Sequence, residues 1–408
     1  MTPEEARQLD AVDSLAFARE RLRLPDGIIY LDGNSLGALP KAAPAVLAET
    51  AERQWGDDLI ASWNKHGWID WSTRIAAKLA PIVGAKPSEL LIADSTSVCL
   101  FKLLAAAAKA RPDRKTILTQ KRNFPTDLYV AQGLADMLGL RVKAVDPDEV
   151  IGAIDSDTAV VTLTHVDYRS AAFYDIRGIN EAAHAAGALT VWDLSHSAGA
   201  VELDLDGSGC DLAVGCGYKY LNGGPGAPAF LYVAEHLQER LVPYLRGWMG
   251  HAQPFAFLDD YAPAPGITRF LAGTPPMLSL LALESGVESF DGLAMDAVWE
   301  KSVALFNLFA ALIEERCGGH GLECITPATA ELRGSHISYR HPHAFELCQA
   351  LIAAEVIGDF RAPDVVRFGL TPLYLGYEDV WQAVDRFAAI LESGSWRDPR
   401  FAVRGRVT

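Results

Sequence analysis

The chain has 408 residues, 50% of them hydrophobic, and sets 52 acidic against 36 basic side chains for a formal charge of −16. That length and apolar fraction suit a two-domain globule with a substantial core, and so acidic a surface is a poor partner for nucleic acid or an anionic membrane. The six cysteines (Cys99, Cys210, Cys216, Cys317, Cys324, Cys348) show neither a CxxC pair nor disulfide-framework spacing; with a polar start and no apolar run that spans a bilayer, the chain reads as cytoplasmic, with reduced thiols.

In chain order, residues 3–23 read as one amphipathic helix, with Pro3 near its start and Leu9, Val12, Leu15 and Leu22 on one side. The run Ile28 to Gly37 carries Asp-Gly and glycine turn signals, and spacing alone reads it as a hairpin-like loop. Residues 41–83 look helical, interrupted near Trp63–Trp71, where SWNKHGWIDW packs three tryptophans around His66. Such a cluster is more often core or dimer interface than site. Glu89–Ala93 is a short strand, followed by Asp94-Ser95-Thr96-Ser97 and a helix from Val98 to Ala110. Hydroxyls and free N–H groups at a helix N-terminus make an anion site, or an ordinary cap. Thr116–Thr119 is the next strand. Asn123-Phe124-Pro125-Thr126-Asp127 then opens a helix to about Gly139, with proline in its first turn, and a strand follows at Leu140–Val145. Ala159–Thr164 is a buried strand with His165, Asp167 and Arg169 just past its end. His165 and Asp167 read either as an acid–base pair or as structural residues. A crossover helix spans Arg177–Gly187.

Two further apolar runs follow. Ala188–Trp192 stops at Asp193, with His196 three residues later. Leu212–Cys216 ends in Gly217-Tyr218-Lys219-Tyr220, ahead of the turn Asn222 to Gly226. Strands alternating with helices predict βαβ units and a mostly parallel sheet, whose carboxyl ends collect ligands. No GxGxxG follows the first strand, which counts against a dinucleotide fold. Asp193 and Lys219 stand 26 residues apart. An acid at one strand end and a lysine past the next are what pyridoxal phosphate chemistry needs. The amine condenses with the cofactor aldehyde, and the acid keeps the pyridine nitrogen protonated. The bland readings are a turn or cap for Asp193 and a solvated loop for Lys219; two tyrosines and a glycine-rich turn around the lysine argue against solvation.

Beyond Phe230 come Trp248, a Pro/Ala-rich loop at 262–266, and Gly273-Thr274-Pro275-Pro276. One long helix, about Met277 to Phe309, is expected to bridge to a small domain with strands at Gly334–Tyr339 and Val365–Gly369. Arg367 lies inside the apolar run Val365–Leu370, where a guanidinium needs a partner. A substrate α-carboxylate suits its fork. Arg361 is its competitor, read as a turn residue that pairs with Asp359.

The segments DLSHSAG and CGYKYLNGGPG, with YLDGNSLG upstream and RFG-x-TPLY downstream, resemble the kynureninases. These belong to the class V aminotransferase group of fold type I pyridoxal phosphate enzymes, and the likeness runs from about Tyr30 to about Tyr374. It implies an α/β fold, with a large domain on a mostly parallel seven-stranded sheet and a smaller α+β C-terminal domain. The boundaries expected are 1–40 for an N-terminal segment that packs with the small domain, 41–290 for the large domain and 291–408 for the small one. It implies a homodimer without nucleic-acid or membrane partners. It makes Lys219, Tyr218 and Asp193 catalytic, and assigns cofactor contacts to Thr96, Ser97, Phe124, Asp127, Thr164, His196, Trp248 and Thr274. Thr274 is expected to serve across the subunit interface. Substrate contacts fall to Arg367, Asn34 and Ser35, with Trp63 and His66 as aryl-pocket candidates and no metal. The activity implied is hydrolysis of the Cβ–Cγ bond of L-kynurenine or its 3-hydroxy form to the anthranilate and L-alanine, in tryptophan catabolism and NAD biosynthesis. One rival is a cysteine desulfurase or aminotransferase of the same group, with Cys317 or Cys324 as the reactive thiol. The other is a cofactor-free scaffold protein.

Overall fold

A computed structural model of the chain describes residues 1–405. Seven apolar segments form the central sheet: β1 (Leu90–Ala93), β2 (Thr116–Gln120), β3 (Arg141–Val145), β4 (Thr158–Thr164), β5 (Leu189–Asp193), β6 (Leu212–Cys216) and β7 (Ala229–Val233). Their order is β1-β7-β6-β5-β4-β2-β3. All pairs are parallel except those of β7, which runs antiparallel to both β1 and β6. Every residue of β1, β2, β4, β5, β6 and β7 is buried. That is why these strands read as unbroken apolar runs rather than alternating ones.

A second sheet is antiparallel and holds β8 (Glu323–Cys324), β9 (His336–Arg340), β10 (Asp359–Arg361) and β11 (Val365–Gly369) in the order β8-β9-β11-β10. The N-terminal segment is tied to this region twice. The helix Pro3–Ala11 packs on the helix Tyr377–Ser393, and Ile29-Tyr30 pairs in parallel with Val356-Ile357.

Four sequence expectations are corrected. The helix of residues 3–23 stops at Ala11, because Asp10 turns to accept the N–H groups of Tyr377 and Glu378 while Asp13 pairs with buried Lys301. Leu9 and Val12 are consequently exposed while Leu15 and Leu22 are buried. The segment 28–37 is no hairpin, since Tyr30 finds its partner more than 300 residues away. The bridging helix is two helices, Met277–Glu288 and Met295–Cys317, separated by a turn in which Gly292 takes φ +75°. Arg361 lies on strand β10 rather than in a turn.

Candidate active site

The carboxyl ends of β4, β5 and β6 gather the first half of the site. Thr164 and Asp193 are register partners at the last positions of β4 and β5. Asp193 Oδ1 accepts the N–H and the hydroxyl of Ser195 at 2.8 and 2.6 Å, so Asp193 does form the turn that a capping reading expects. The Thr164 hydroxyl lies 2.5 Å from Asn123 Oδ1 and 3.0 Å from Asp127 Oδ2. Burial, with the neighbouring charge of Asp193, pushes Asp127 well above the ordinary carboxylate range, so Asp127 holds a proton beside Asp193.

Lys219 follows β6 and is 9% exposed, not solvated. Its Nζ is 3.4 Å from His196 Nε2 and lies 5.9 and 5.8 Å from the ring centroids of Phe124 and Tyr218. Burial lowers the Lys219 ammonium, and the Arg367 and Arg361 charges lower it further. Burial likewise holds His196 neutral and keeps the Tyr218 hydroxyl protonated. The lysine loop is braced from outside. Gly37 donates its N–H to the Tyr218 carbonyl at 2.8 Å, and Ala38 N–H reaches Asn222 Oδ1 at 3.0 Å. A Cβ on Gly37 would stand 2.3 Å from the Lys219 carbonyl oxygen, so only glycine lets the two segments approach. Thr96 and Ser97 are the first two residues of the helix Thr96–Lys109, behind the N-cap Ser95.

The second half comes from the small sheet and the 32–37 segment. Arg367 on β11 is 1% exposed. It donates Nε and Nη2 to Asp359, Nη2 to Ser35 Oγ at 2.9 Å and Nη1 to the Tyr168 carbonyl. Arg361 Nη2 reaches the same Asp359 and the same Ser35 hydroxyl, at 2.6 and 2.9 Å. One acid therefore serves both arginines. Burial pushes Asp359 up, but the two guanidinium charges and their hydrogen bonds hold it below its usual range, while burial and the charge of Asp359 push Asp32 up to about 8. Asn34 is fully buried against Gly369, where a Cβ would sit 1.9 Å from Asn34 Oδ1, and neither amide atom has a partner among the described residues.

The structure thus brings together Asp193, Asp127, Thr164, His196, Phe124, Tyr218 and Lys219, and next to them Arg367 and Ser35. Four other sequence candidates make their contacts elsewhere. Trp63 meets Trp68 edge-on, His66 Nε2 meets Asp58 at 2.7 Å, Trp248 packs on Phe255, and Thr274 is exposed. Of the two readings of His165 and Asp167, the contacts match the structural one: His165 Nδ1 faces Ser197 Oγ at 2.8 Å, while Asp167 caps the N–H groups of Arg169 and Ser170. Sequence reasoning missed Asn123, Tyr168 and the double use of Asp359. Only the last left a signal, an acid two residues before one arginine and eight before the other. A cavity of about 350 Å³ behind the Tyr168 loop is lined by Gln120, Arg122, Arg169, Phe173 and Arg340, and shares no residue with the Lys219 cluster. Among the described residues, no group of three or more metal-ligating side chains is found, and no helix is long and apolar enough to cross a membrane.

The chain is similar along its whole length to curated proteins. It is 47% identical over 414 aligned positions to a kynureninase of Pseudomonas fluorescens, and 48% identical to one of Burkholderia mallei (strain SAVP1), with both partners covered completely. A family model described as the kynureninase C-terminal domain matches residues 298–387. Among solved structures, a cysteine desulfurase from Thermococcus onnurineus NA1 superposes with a TM-score of 0.78 at 19% identity, covering 93% of this chain and 98% of its own. A C-DES variant carrying glycine linked to its PLP cofactor gives 0.76 at 17%, covering 91% and 98%. At such identities these two speak to the fold alone.

Proposed function

This chain belongs to the kynureninase family, and from that premise we propose which of its residues perform the hydrolysis of L-kynurenine to anthranilate and L-alanine. It is a pyridoxal phosphate-dependent hydrolase of carbon–carbon bonds in ketonic substances, EC 3.7.1.3. The residues present fit that cofactor: a buried amine lies beside an aromatic face and close to a carboxylate at a strand end, and the helix Thr96–Lys109 offers its N-terminal hydroxyls for a phosphate. When bound, the cofactor supplies an electron sink for the bonds at the substrate α-carbon.

The chain's own residues do the rest. Lys219 is the amine that holds the cofactor and then moves the α-proton; its lowered affinity for a proton supports both tasks. Asp193, with Asp127 beside it, would pair with the ring nitrogen, and Phe124 would offer the ring an aromatic face. Thr96 and Ser97 would hold the phosphate at the helix N-terminus. Thr164 and His196 would border the ring, and Tyr218 keeps a proton to give. Arg367 binds the substrate carboxylate and Asn34 and Ser35 close over it. The observation that carries this reading is the buried Lys219 amine set between Phe124, His196 and the Arg367 guanidinium.

The division at residues 40 and 290 and a homodimer belong to the same proposal. A face bearing exposed Trp55, Leu59 and Ile60 adjoins a groove of about 330 Å³ lined by Trp68, Pro276, Met277 and Leu278. A second copy seated there would cover this apolar area and bring Thr274 and Trp248, with Trp63 and His66, toward the partner's site. Six unpaired cysteines, five of them buried, support a cytoplasmic setting. The test is to incubate the purified protein with L-kynurenine and with its 3-hydroxy form. Release of alanine and the matching anthranilate in equal amounts is expected. Sulfide released from cysteine, with kynurenine untouched, would overturn the reading.

A further inference from the structure

His336 opens strand β9 with no exposed surface, and among the described residues neither of its ring nitrogens has a hydrogen-bond partner. A fold seldom leaves a buried polar ring without a protein partner, and a group so left calls for one that the chain does not supply, an ordered water or an incoming ligand. Its surroundings say what arrives. In the antiparallel register Ser338 stands opposite Arg367, and Arg367 opposite Asp359. His336, two residues from Ser338, therefore projects from the same face of the small sheet as the guanidinium. Opposite His336 is Gly369, so no cross-strand side chain competes for its nitrogens. Its ring lies 5.6 Å from that of His196, which in turn touches Lys219 Nζ at 3.4 Å.

His336 thus sits between the amine that meets a substrate's α-carbon and the arginine that holds its carboxylate. We propose that His336 is a substrate-contacting residue that donates a ring N–H to the substrate α-carboxylate beside Arg367. This rests on the amino-acid reading of the site given above. Chemistry favours a neutral donor here: Arg367, Arg361 and Lys219 already crowd the space with positive charge and, with burial, hold the imidazole uncharged. A neutral N–H fixes direction without adding a further cation.

The experiment uses the holoenzyme and two ligands that differ only in the carboxylate, L-alanine and ethylamine, each titrated by the change in cofactor absorbance. His336→Leu is expected to weaken L-alanine about tenfold and leave ethylamine unchanged, whereas His336→Gln, which keeps an N–H donor, stays within about threefold of wild type. Without cofactor, His336→Leu is expected to melt at the same temperature or a few degrees higher, since it removes an unpartnered polar ring. Equal weakening of both ligands by His336→Leu, or no rescue by glutamine, would assign His336 to packing His196 and overturn the proposal. If the wild-type holoenzyme answers to no amino acid at all, the amino-acid reading itself fails and takes this proposal with it.

Discussion

The two halves of the site differ in how far their buried polar groups are satisfied within the protein. At the strand ends of the large sheet, Asn123, Asp127, Thr164, Asp193, Ser195 and His196 all have partners within the protein. On the small-sheet side Arg367, Arg361, Asp359 and Ser35 are partnered as well, but the polar side-chain atoms of fully buried Asn34, His336 and Ser338 have no partner among the described residues. A partnered network holds its geometry before any ligand comes, which suits a cofactor that stays. An unpartnered set is unfavourable in the free protein, and is rewarded only when a polar ligand enters, which suits a substrate that comes and goes.

That contrast is broken most sharply at Lys219. Lys219→Ala is expected to abolish turnover, because among the described residues Lys219 is the amine set beside Phe124 and Asp193. Steady-state assay and an absorbance scan measure it, and a coloured protein with wild-type rate would end the assignment. Asp193→Ala comes next, slowing α-proton exchange by roughly several orders of magnitude in a folded protein; near-normal exchange would reduce Asp193 to the turn that binds Ser195.

On the substrate side the expected losses are smaller. Arg367→Lys keeps the charge but loses a fork that Asp359 and Ser35 hold in place. About 2–4 kcal/mol is lost, or roughly thirty- to a thousandfold in kcat/KM. Arg361→Lys should cost about tenfold or less, because Arg361 is a third exposed and shares Asp359 rather than owning it. Kinetics of both variants on kynurenine decide it, and a crippled Arg361 variant beside a normal Arg367 variant would reverse the roles.

The same contrast explains what could be read from the sequence. The cofactor half is local: an apolar strand, an acid at its end, a second strand and a lysine in glycine-rich context all lie within residues 188–226, and one strand period accounts for them. The substrate half is assembled from residues 32–37, 336–338 and 359–369. Its pairings depend on register: one acid for two arginines, and Asn34 on Gly369. The wrong hairpin at 28–37 has the same cause, since turn residues announce a bend but not the partner of the strand before it. The overlong helix at 3–23 failed because Asp10 and Asp13 pair with distant groups instead of continuing the turn, and the one at 277–309 because the chain turns at Gly292.

A further test lies beneath the partnered half. Burial holds His165 down at about 4, against about 6.5 in an unfolded chain. The folded ring is neutral while the unfolded one takes up a proton, so stability is present above pH 6.5 and lost as the pH falls toward 4. Between pH 7 and pH 5 this amounts to about 2 kcal/mol. Chemical denaturation at both values should show that His165→Gln loses about that much less than wild type. Equal losses would mean that the ring is already charged when folded.

The smallest effect separates the halves most cleanly. Thr164→Val keeps the shape of the side chain but removes a hydroxyl that Asn123 and Asp127 both use, and strips Asp127 of a donor in a buried place. Its expected cost to the ligand-free protein is about 1–2 kcal/mol. Ser338→Ala deletes a hydroxyl that is as deeply buried but touches nothing polar. Nothing is left behind wanting a partner, so stability should change by less than about 0.5 kcal/mol, or rise. Denaturant midpoints of the two ligand-free variants measure the difference. If Ser338→Ala costs as much as Thr164→Val, its hydroxyl has an internal partner, most simply a buried water, and the small-sheet side is as well satisfied as the cofactor side.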